Sequence, residues 1–395
     1  ILDKADISFD QVILLVAGMT MLMTGFLLFP VSAGILPYYE NGLYGLLLFI
    51  FALQTVTLGK TPFGDMRRSK LLLAVGAAIA SVGIVTCFVP EIFNQIPRIL
   101  LFLCFGPGGI LLLLQMFFLK DKFRSWIKHG EIFRKLIFSC STVYGLSVLI
   151  GSLLWKQDLL TTPITAVVVL IYGAAIVYLA AVLQKIYYLY PEAERKCKSD
   201  IELSDDRAMI LLTGIFMVLL GVLLIPVTFG MLPFSGSAQL GLLMVIMAIQ
   251  MLAFGNTPVG ASTRSWLVVF AGLLFAALGI VSCIIPEILV SHLTFLIGVL
   301  NILSGVISLG KMCISFFQKA GEPRGPIPTV LVKLYAAQLT MNLLSIMFGT
   351  SMIVSDLIPG AVIGVILAAN GGVLLYLLHI LALLDKMQGV KIKTA

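Results

Sequence analysis

Residues 30–37 read PVSAGILP and residues 226–233 read PVTFGMLP. This uncharged, proline-bounded phrase occurs twice, 226 − 30 = 196 residues apart. The same spacing links Gly25 to Gly221, Gln54 to Gln250, Thr61-Pro62 to Thr257-Pro258, Cys87 to Cys283, and Pro90-Glu91-Ile92 to Pro286-Glu287-Ile288. Over residues 14–116 roughly a third of positions are identical at this offset, far above chance for a chain that is merely apolar. The register continues more faintly to Pro163 and Pro359. The sequence therefore reads as a tandem duplication, residues 1–196 followed by residues 197–395.

What is duplicated follows from composition. The 395 residues are 60% hydrophobic and only 11% charged, with mean hydropathy +1.09, whereas soluble domains carry about 25% charge. Between Asp10 and Lys60 the only charge is Glu40, and between Arg207 and Arg264 there is none. Each stretch is long enough to cross a bilayer twice at about 20 residues per helix. Apolar runs bounded by charge, Pro or Gly predict helices at 11–30, 43–59, 71–90, 97–119, 136–156 and 163–186, then at 208–226, 239–255, 266–286, 292–310, 334–354 and 359–384. The expected fold is all-α and polytopic, with twelve spans in two six-helix repeats.

Charge sets the expected orientation. Of 26 Lys and Arg residues, only Arg98 and Lys156 fall in the odd-to-even turns, leaving 26 − 2 = 24 on the opposite side. Basic loops stay cytoplasmic, so both termini and the loops at 120–135 and 187–207 are expected inside. Because six is even, both copies enter the membrane in one orientation and form parallel repeats about an axis along the membrane normal. The pI of about 9.1 is then a topology signal, and no nucleic-acid partner is implied.

A finer pattern lies within each copy. Gly18 and Gly25 precede Pro30, Gly76 and Gly83 precede Pro90, and the second copy repeats this with Gly214, Gly221, Pro226 and Gly272, Gly279, Pro286. Glycines seven apart share a helix face on which a neighbouring backbone can approach closely, a main source of helix association in lipid. The proline is then expected to end or kink each helix near the outer surface, making PVSAGILP the outward turn of a glycine-striped hairpin.

Residues 272–309, GLLFAALGIVSCIIPEILVSHLTFLIGVLNILSGVISL, resemble the hairpin unit of the HdeD-type acid-resistance membrane proteins. The shared pattern is two glycines seven apart, a proline one or two turns later, and a second helix with a late Ser-Gly. That family has six spans made of three hairpins, so the resemblance implies two such units fused, stress-related residence in the inner membrane and no catalytic residues. Residues 71–119 depart from it where GPGG at 106–109 replaces the Ser-Gly region. The six-plus-six layout also resembles the major facilitator transporters, and GKTPFGDMRRSK at 59–70 is similar to their basic signature loop. There Gly59 and Asp65 are six apart where the signature needs four, and the second copy reads GNTPVGASTRSW with no acid. The loop reads first as a helix stop with cytoplasmic anchoring charges.

Motifs for chemistry are few. Of the three histidines, His129, His292 and His379, only His379 lies in a predicted span, which argues against a two-histidine haem. The six cysteines contain no C-x-x-C, so neither zinc nor an iron–sulfur cluster is signalled. Cys87 and Cys283, near outer helix ends, read as small packing residues. No catalytic grouping, cofactor site or metal site is expected. Intramembrane polarity is costly and therefore worth naming. Gln54 and Gln250 sit at equivalent points in second helices, where they read as interhelical glue. The second copy alone carries Gln338, Asn342, Asn370 and His379, where the first has Thr142, Leu146, Ala174 and Leu183 at the same offset. Glu91 and Glu287 follow prolines at the outer face. Pro107, within Gly106-Pro107-Gly108-Gly109, is expected to break the fourth span.

Two functions fit. One is a non-catalytic protein of the bacterial or archaeal cytoplasmic membrane, a stress-related or accessory subunit docking lipid or other membrane proteins. The other is a pseudo-symmetric transporter or channel for a small neutral or weakly polar solute. The scarcity of charge within spans favours the first, since ion-coupled carriers use a buried acid or base.

Overall fold

The computed structural model describes all residues except 1–6, 58–59, 62–63, 66–69, 119–130, 157–158, 191–203, 258–259, 262–263, 319–328, 355–357 and 394–395. Most of the basic loops at 120–135 and 187–207, together with His129, lie outside the described residues. The described chain is all-helical apart from two small ribbons: α1 Phe9–Ser32, α2 Glu40–Thr57, α3 Lys70–Phe88, α4 Ile96–Phe118, α5 Glu131–Trp155, α6 Thr162–Leu189, α7 Asp205–Thr228, α8 Gly236–Phe254, α9 Trp266–Ile284, α10 Val290–Gln318, α11 Thr329–Ile353 and α12 Gly360–Lys393. Eleven of these twelve helices are long and apolar enough to cross a membrane. The other, α2, has 18 residues and includes Glu40, Asn41 and Gln54, which lower its hydropathy. The chain is a polytopic membrane protein.

The ribbons are not foreshadowed by the sequence pattern. Lys60–Thr61 pairs antiparallel with Gly64–Asp65, and Asn256–Thr257 pairs with Gly260–Ala261 in the same register, at equivalent places of the two sequence copies.

The opening phrase has a local explanation. Pro30 does not end α1, which runs on to Ser32; Pro226 likewise lies inside α7. The stop is the following glycine. Gly34 and Gly230 take left-handed φ of 71° and 69°, a region open to glycine without a Cβ penalty. Gly34 N–H donates to the Val31 carbonyl at 3.0 Å and Ile35 N–H to that of Pro30 at 2.9 Å; in the second copy Gly230 donates to Val227 at 2.9 Å and Met231 to Pro226 at 3.0 Å. This paired closure is the Schellman motif, which satisfies carbonyls left over at a helix end. Pro90 and Pro286, in contrast, lie two residues beyond the ends of α3 and α9.

The chain forms two compact units, residues 1–205, 235–255 and 263–289 in one and residues 206–234, 256–262 and 290–395 in the other. They do not follow the sequence boundary at 196: α8 and α9, from the second half, belong with α1–α6. Within the first unit the main pairings are α1 with α6, α2 with α3, α8 with α9, and α4 with α5. Within the second, α10 pairs with α11 and α11 with α12, while α7 lays its glycines on α12.

The glycine stripes do pack at close range, but the first of them does not face its own hairpin. A Cβ on Gly18 would stand 2.7 Å from Val177 Cγ2, and one on Gly25 2.6 Å from Leu170 Cγ. Both partners are on α6, which answers with its own Gly173 against Leu22 N. The glycines of α2 are committed elsewhere: Gly45 faces Gly83 and Cys87 of α3, and Gly42 faces the Cys283 carbonyl of α9. Gly76 faces Val56 on α2, and Gly272 and Gly279 face α8. In the second unit Gly214 and Gly221 meet Leu375, Gly371, Gly364 and Ala368 of α12.

The fourth span is also corrected. α4 is continuous from Ile96 to Phe118 with Pro107 inside it. Neighbouring α5 supports this irregular turn: Ser147 Oγ donates to the Phe105 carbonyl at 2.9 Å, and Gly151 lies so close that a Cβ there would be 2.5 Å from Gly106 N. Proline lacks the N–H that would bond the carbonyl four residues back, here that of Leu103, and the Ser147 bond ties α5 to the same turn. The glycines beside Pro107 thus serve helix approach.

Candidate functional site

The most symmetric cluster in the first unit lies where α2, α3, α8 and α9 meet. Tyr39 N–H donates to the Ile284 carbonyl at 2.9 Å, and Ser235 N–H donates to the Phe88 carbonyl at 2.9 Å. The two donors are related by the repeat offset and so are the two acceptors, so the bonds exchange between the copies as they do across an isologous two-fold contact. Between them sit Cys87 and Cys283, both fully buried. Each thiol lies 3.6 Å from one acceptor, the Ala238 carbonyl oxygen, and Cys87 Sγ is also 3.8 Å from the Gly42 carbonyl. Tyr39 closes the cluster by donating its hydroxyl to the Cys87 carbonyl at 3.2 Å. Burial first, then the adjacent cysteines, push the Tyr39 phenol above its ordinary value, so it stays a donor. In the second copy Ser235 stands where the first has Tyr39, and a hydroxyl pair lies beside it: Ser237 Oγ donates to the Ser282 carbonyl at 2.7 Å and Ser282 Oγ to that of Ser237 at 2.8 Å.

Around this cluster the helices are closed. Residues 42–50 of α2 and 237–246 of α8 are buried without interruption, more than two full turns each. In α8, 83% of the span is buried, against 22% in α10, 17% in α11 and 22% in α12. The centre is sealed by apolar side chains, with Leu46, Leu48, Leu53, Leu242, Met244 and Leu252 fully buried.

The intramembrane candidates are divided between the two units. Gln54 and Gln250 are half-buried at matching points of α2 and α8. Gln338 and His379 are exposed, Asn342 and Asn370 half-buried. The polar contact that does form in the second unit is one the sequence reading does not single out: Ser345 Oγ donates to Asn301 Oδ1 at 3.1 Å and lies 3.2 Å from its carbonyl, joining α11 to α10. Asn342 contributes its backbone, with its carbonyl oxygen against Gly305. Asn370 Oδ1 is buried without a hydrogen-bond partner, as are Gln115 Oε1 and Ser139 Oγ in the first unit.

The apparent polar asymmetry between the copies is a slip of register. α5 and α11 are equally long, and their starts differ by 329 − 131 = 198, as do those of α6 and α12, 360 − 162 = 198. The contacts agree. Ser147 on Phe105 in one copy answers to Ser345 on Asn301 in the other, and Gly151 against the Gly106 nitrogen answers to Gly349 against the Ile302 nitrogen. At the offset of 198, Gln338 matches Cys140, Asn342 matches Tyr144 and Asn370 matches Tyr172. These three are buried in the first unit. Both copies therefore carry polar groups here, and the comparison with Thr142, Leu146 and Ala174 is two residues out.

Glu91 and Glu287 are exposed, and both hold left-handed φ, 65° and 70°, a conformation that costs a residue with a Cβ about 1–2 kcal/mol. They form the turn after α3 and α9. Arg98 caps α5, its Nε donating to the Leu154 carbonyl at 2.6 Å and Nη2 to that of Trp155 at 3.1 Å. Among the described residues no group of three or more His, Cys, Asp or Glu is placed to hold a metal ion. No family model, no curated protein and no solved structure matches the chain at a significant level.

Proposed function

We propose that the chain is a non-catalytic integral protein of the bacterial or archaeal cytoplasmic membrane, an accessory or structural subunit that docks lipid or other membrane proteins. In this reading it is a duplicated six-helix unit with parallel copies and both termini cytoplasmic. The sequence offset, the matching Schellman turns, ribbons and glycine contacts, and the basic loops support that arrangement. A stress-related role is what the HdeD-type resemblance adds.

The observation that carries the proposal is the all-round burial of α2 and α8. A carrier needs a wettable path along the helices that line it, and around α2 and α8 the positions are filled by leucine, methionine and close backbone. Ser147, Ser345 and Arg98 each bond a neighbouring helix, as glue does. Purification in mild detergent followed by mass spectrometry tests the reading: a reproducible membrane-protein or lipid companion at fixed ratio is expected. A lone chain that moves a small solute into proteoliposomes would overturn it.

One observation favours the transporter reading. Asn370 Oδ1 and Gln115 Oε1 are buried without partners, and a buried unsatisfied amide costs about 1–3 kcal/mol. Such groups are sometimes kept for a solute. If so, replacing Asn342 and Asn370 by leucine abolishes transport while assembly persists.

A further inference from the structure

The geometry points to Cys87 and Cys283 as a disulfide-forming pair that bonds the first half of the sequence to the second. Five observations converge. The two residues occupy equivalent positions of the two sequence copies. Their sulfurs share one acceptor, the Ala238 carbonyl, at 3.6 Å each. The two helices that carry them both approach the glycines of α2, Cys283 at Gly42 and Cys87 at Gly45. One residue beyond each cysteine, the reciprocal bonds to the Phe88 and Ile284 carbonyls pin the two helix ends. Both side chains are fully buried in the first unit, so the pair keeps its geometry and excludes competing thiols.

The chemistry needs an oxidant of the disulfide class, as supplied in extracytoplasmic compartments. One cysteine, as thiolate, attacks the oxidant's disulfide and displaces one of its thiolates. The second cysteine attacks the mixed disulfide and displaces the other. One S–S bond forms in this chain and one breaks in the oxidant, which leaves with two electrons and two protons as a dithiol. Because both sulfurs are covered in the finished fold, the exchange belongs to assembly, as α3 and α9 dock on the glycines of α2. The inference rests on the outer placement of these helix ends proposed above.

The test uses the full-length protein in cells with an oxidising outer compartment. Cells are quenched in acid, the protein is denatured and alkylated with N-ethylmaleimide, and its intact mass is read with and without prior reduction. Of the six cysteines, four are expected to be alkylated before reduction and six after, with peptide mapping joining the Cys87 and Cys283 peptides. Cys87→Ser should give five in both conditions. Six adducts on the unreduced wild-type protein, or a bond mapped to any other pair, overturns the inference. A cysteine placed at Lys128 reports sidedness separately, so a failed cross-link and a failed topology give different readouts.

Discussion

Replacing Gly45 by alanine probes the contact on which the sealed centre depends. The new Cβ would stand 2.7 Å from both Cys87 Cβ and Cys87 N, and also against the Gly83 carbonyl. Ordinary carbon contacts begin near 3.5 Å, so α2 and α3 must part by roughly 0.8 Å. A gap of 0.5–1 Å forfeits about a quarter to a half of each dispersion well along the seam, and overpacking of this kind costs about 1–3 kcal/mol. The struck atoms are mostly backbone and cannot rotate away, which puts the cost at the upper end. Helix propensity returns about 1 kcal/mol for glycine to alanine, leaving a net loss of about 2 kcal/mol. Gly145 supplies the control: it is helical, exposed, and an added Cβ meets nothing within 4 Å. Gly145→Ala should therefore stabilise by about 1 kcal/mol. Unfolding in mixed micelles, followed by circular dichroism, should separate the two variants by about 3 kcal/mol on these terms. Gly83→Leu, aimed at Gly45 O, Leu48 and Phe49 N from the other side, should be worse than either. If Gly45→Ala is as stable as Gly145→Ala, the close-packing account of the glycine stripes fails.

Other outcomes follow from the same contacts. A cysteine at Lys128 in intact cells should escape membrane-impermeant thiol reagents added outside, and its labelling would sink the proposed topology. Arg98→Ala removes two charge-assisted bonds to the end of α5 and should cost about 1–2 kcal/mol, since such bonds are worth about 1.5–3 kcal/mol and this one is part-exposed; Arg98→Lys should restore only part of it in the same unfolding assay. Asn342→Leu with Asn370→Leu should lower stability by no more than about 1 kcal/mol, since interhelical hydrogen bonds average about 0.6 kcal/mol and Asn370 Oδ1 has no partner to lose; companions should still co-purify.

Much of the fold is legible because membrane helices announce themselves one at a time. Apolar runs locate the twelve helices, and a gap-free repeat flags Gly18, Gly25, Gly76, Gly83 and their counterparts as contact residues. What each stripe contacts is not legible, because the partner of α1 is α6, far along the chain, and glycines do not encode which neighbour they admit. Proline misleads as a helix stop: the left-handed glycine four residues on, Gly34 or Gly230, is the terminator. The candidate site is blurred by a length change of two residues, since Phe105 and Ser147 are 42 apart and their counterparts Asn301 and Ser345 are 44 apart. A fixed offset of 196 carried past it sets Asn370 beside Ala174, when the helix starts and the Ser147 and Ser345 contacts set it beside Tyr172. Cys87 and Cys283 are visibly equivalent in sequence, yet their convergence needs α9 to join the first unit, which no local pattern signals.

The central claim is that the meeting place of the two sequence copies in the first unit is a sealed packing core and no solute path. Leu46 and Leu242 are its most direct reporters, since they hold equivalent positions in the two copies, on α2 and α8, and both are 0% exposed. Single cysteines at these positions, in a protein otherwise free of cysteine, should stay unmodified by small water-soluble thiol reagents from either side of the native membrane and react fully once the protein is denatured. Reaction of either cysteine in the native membrane at a rate near that of a loop cysteine would contradict the account and make a transporter or channel the better reading.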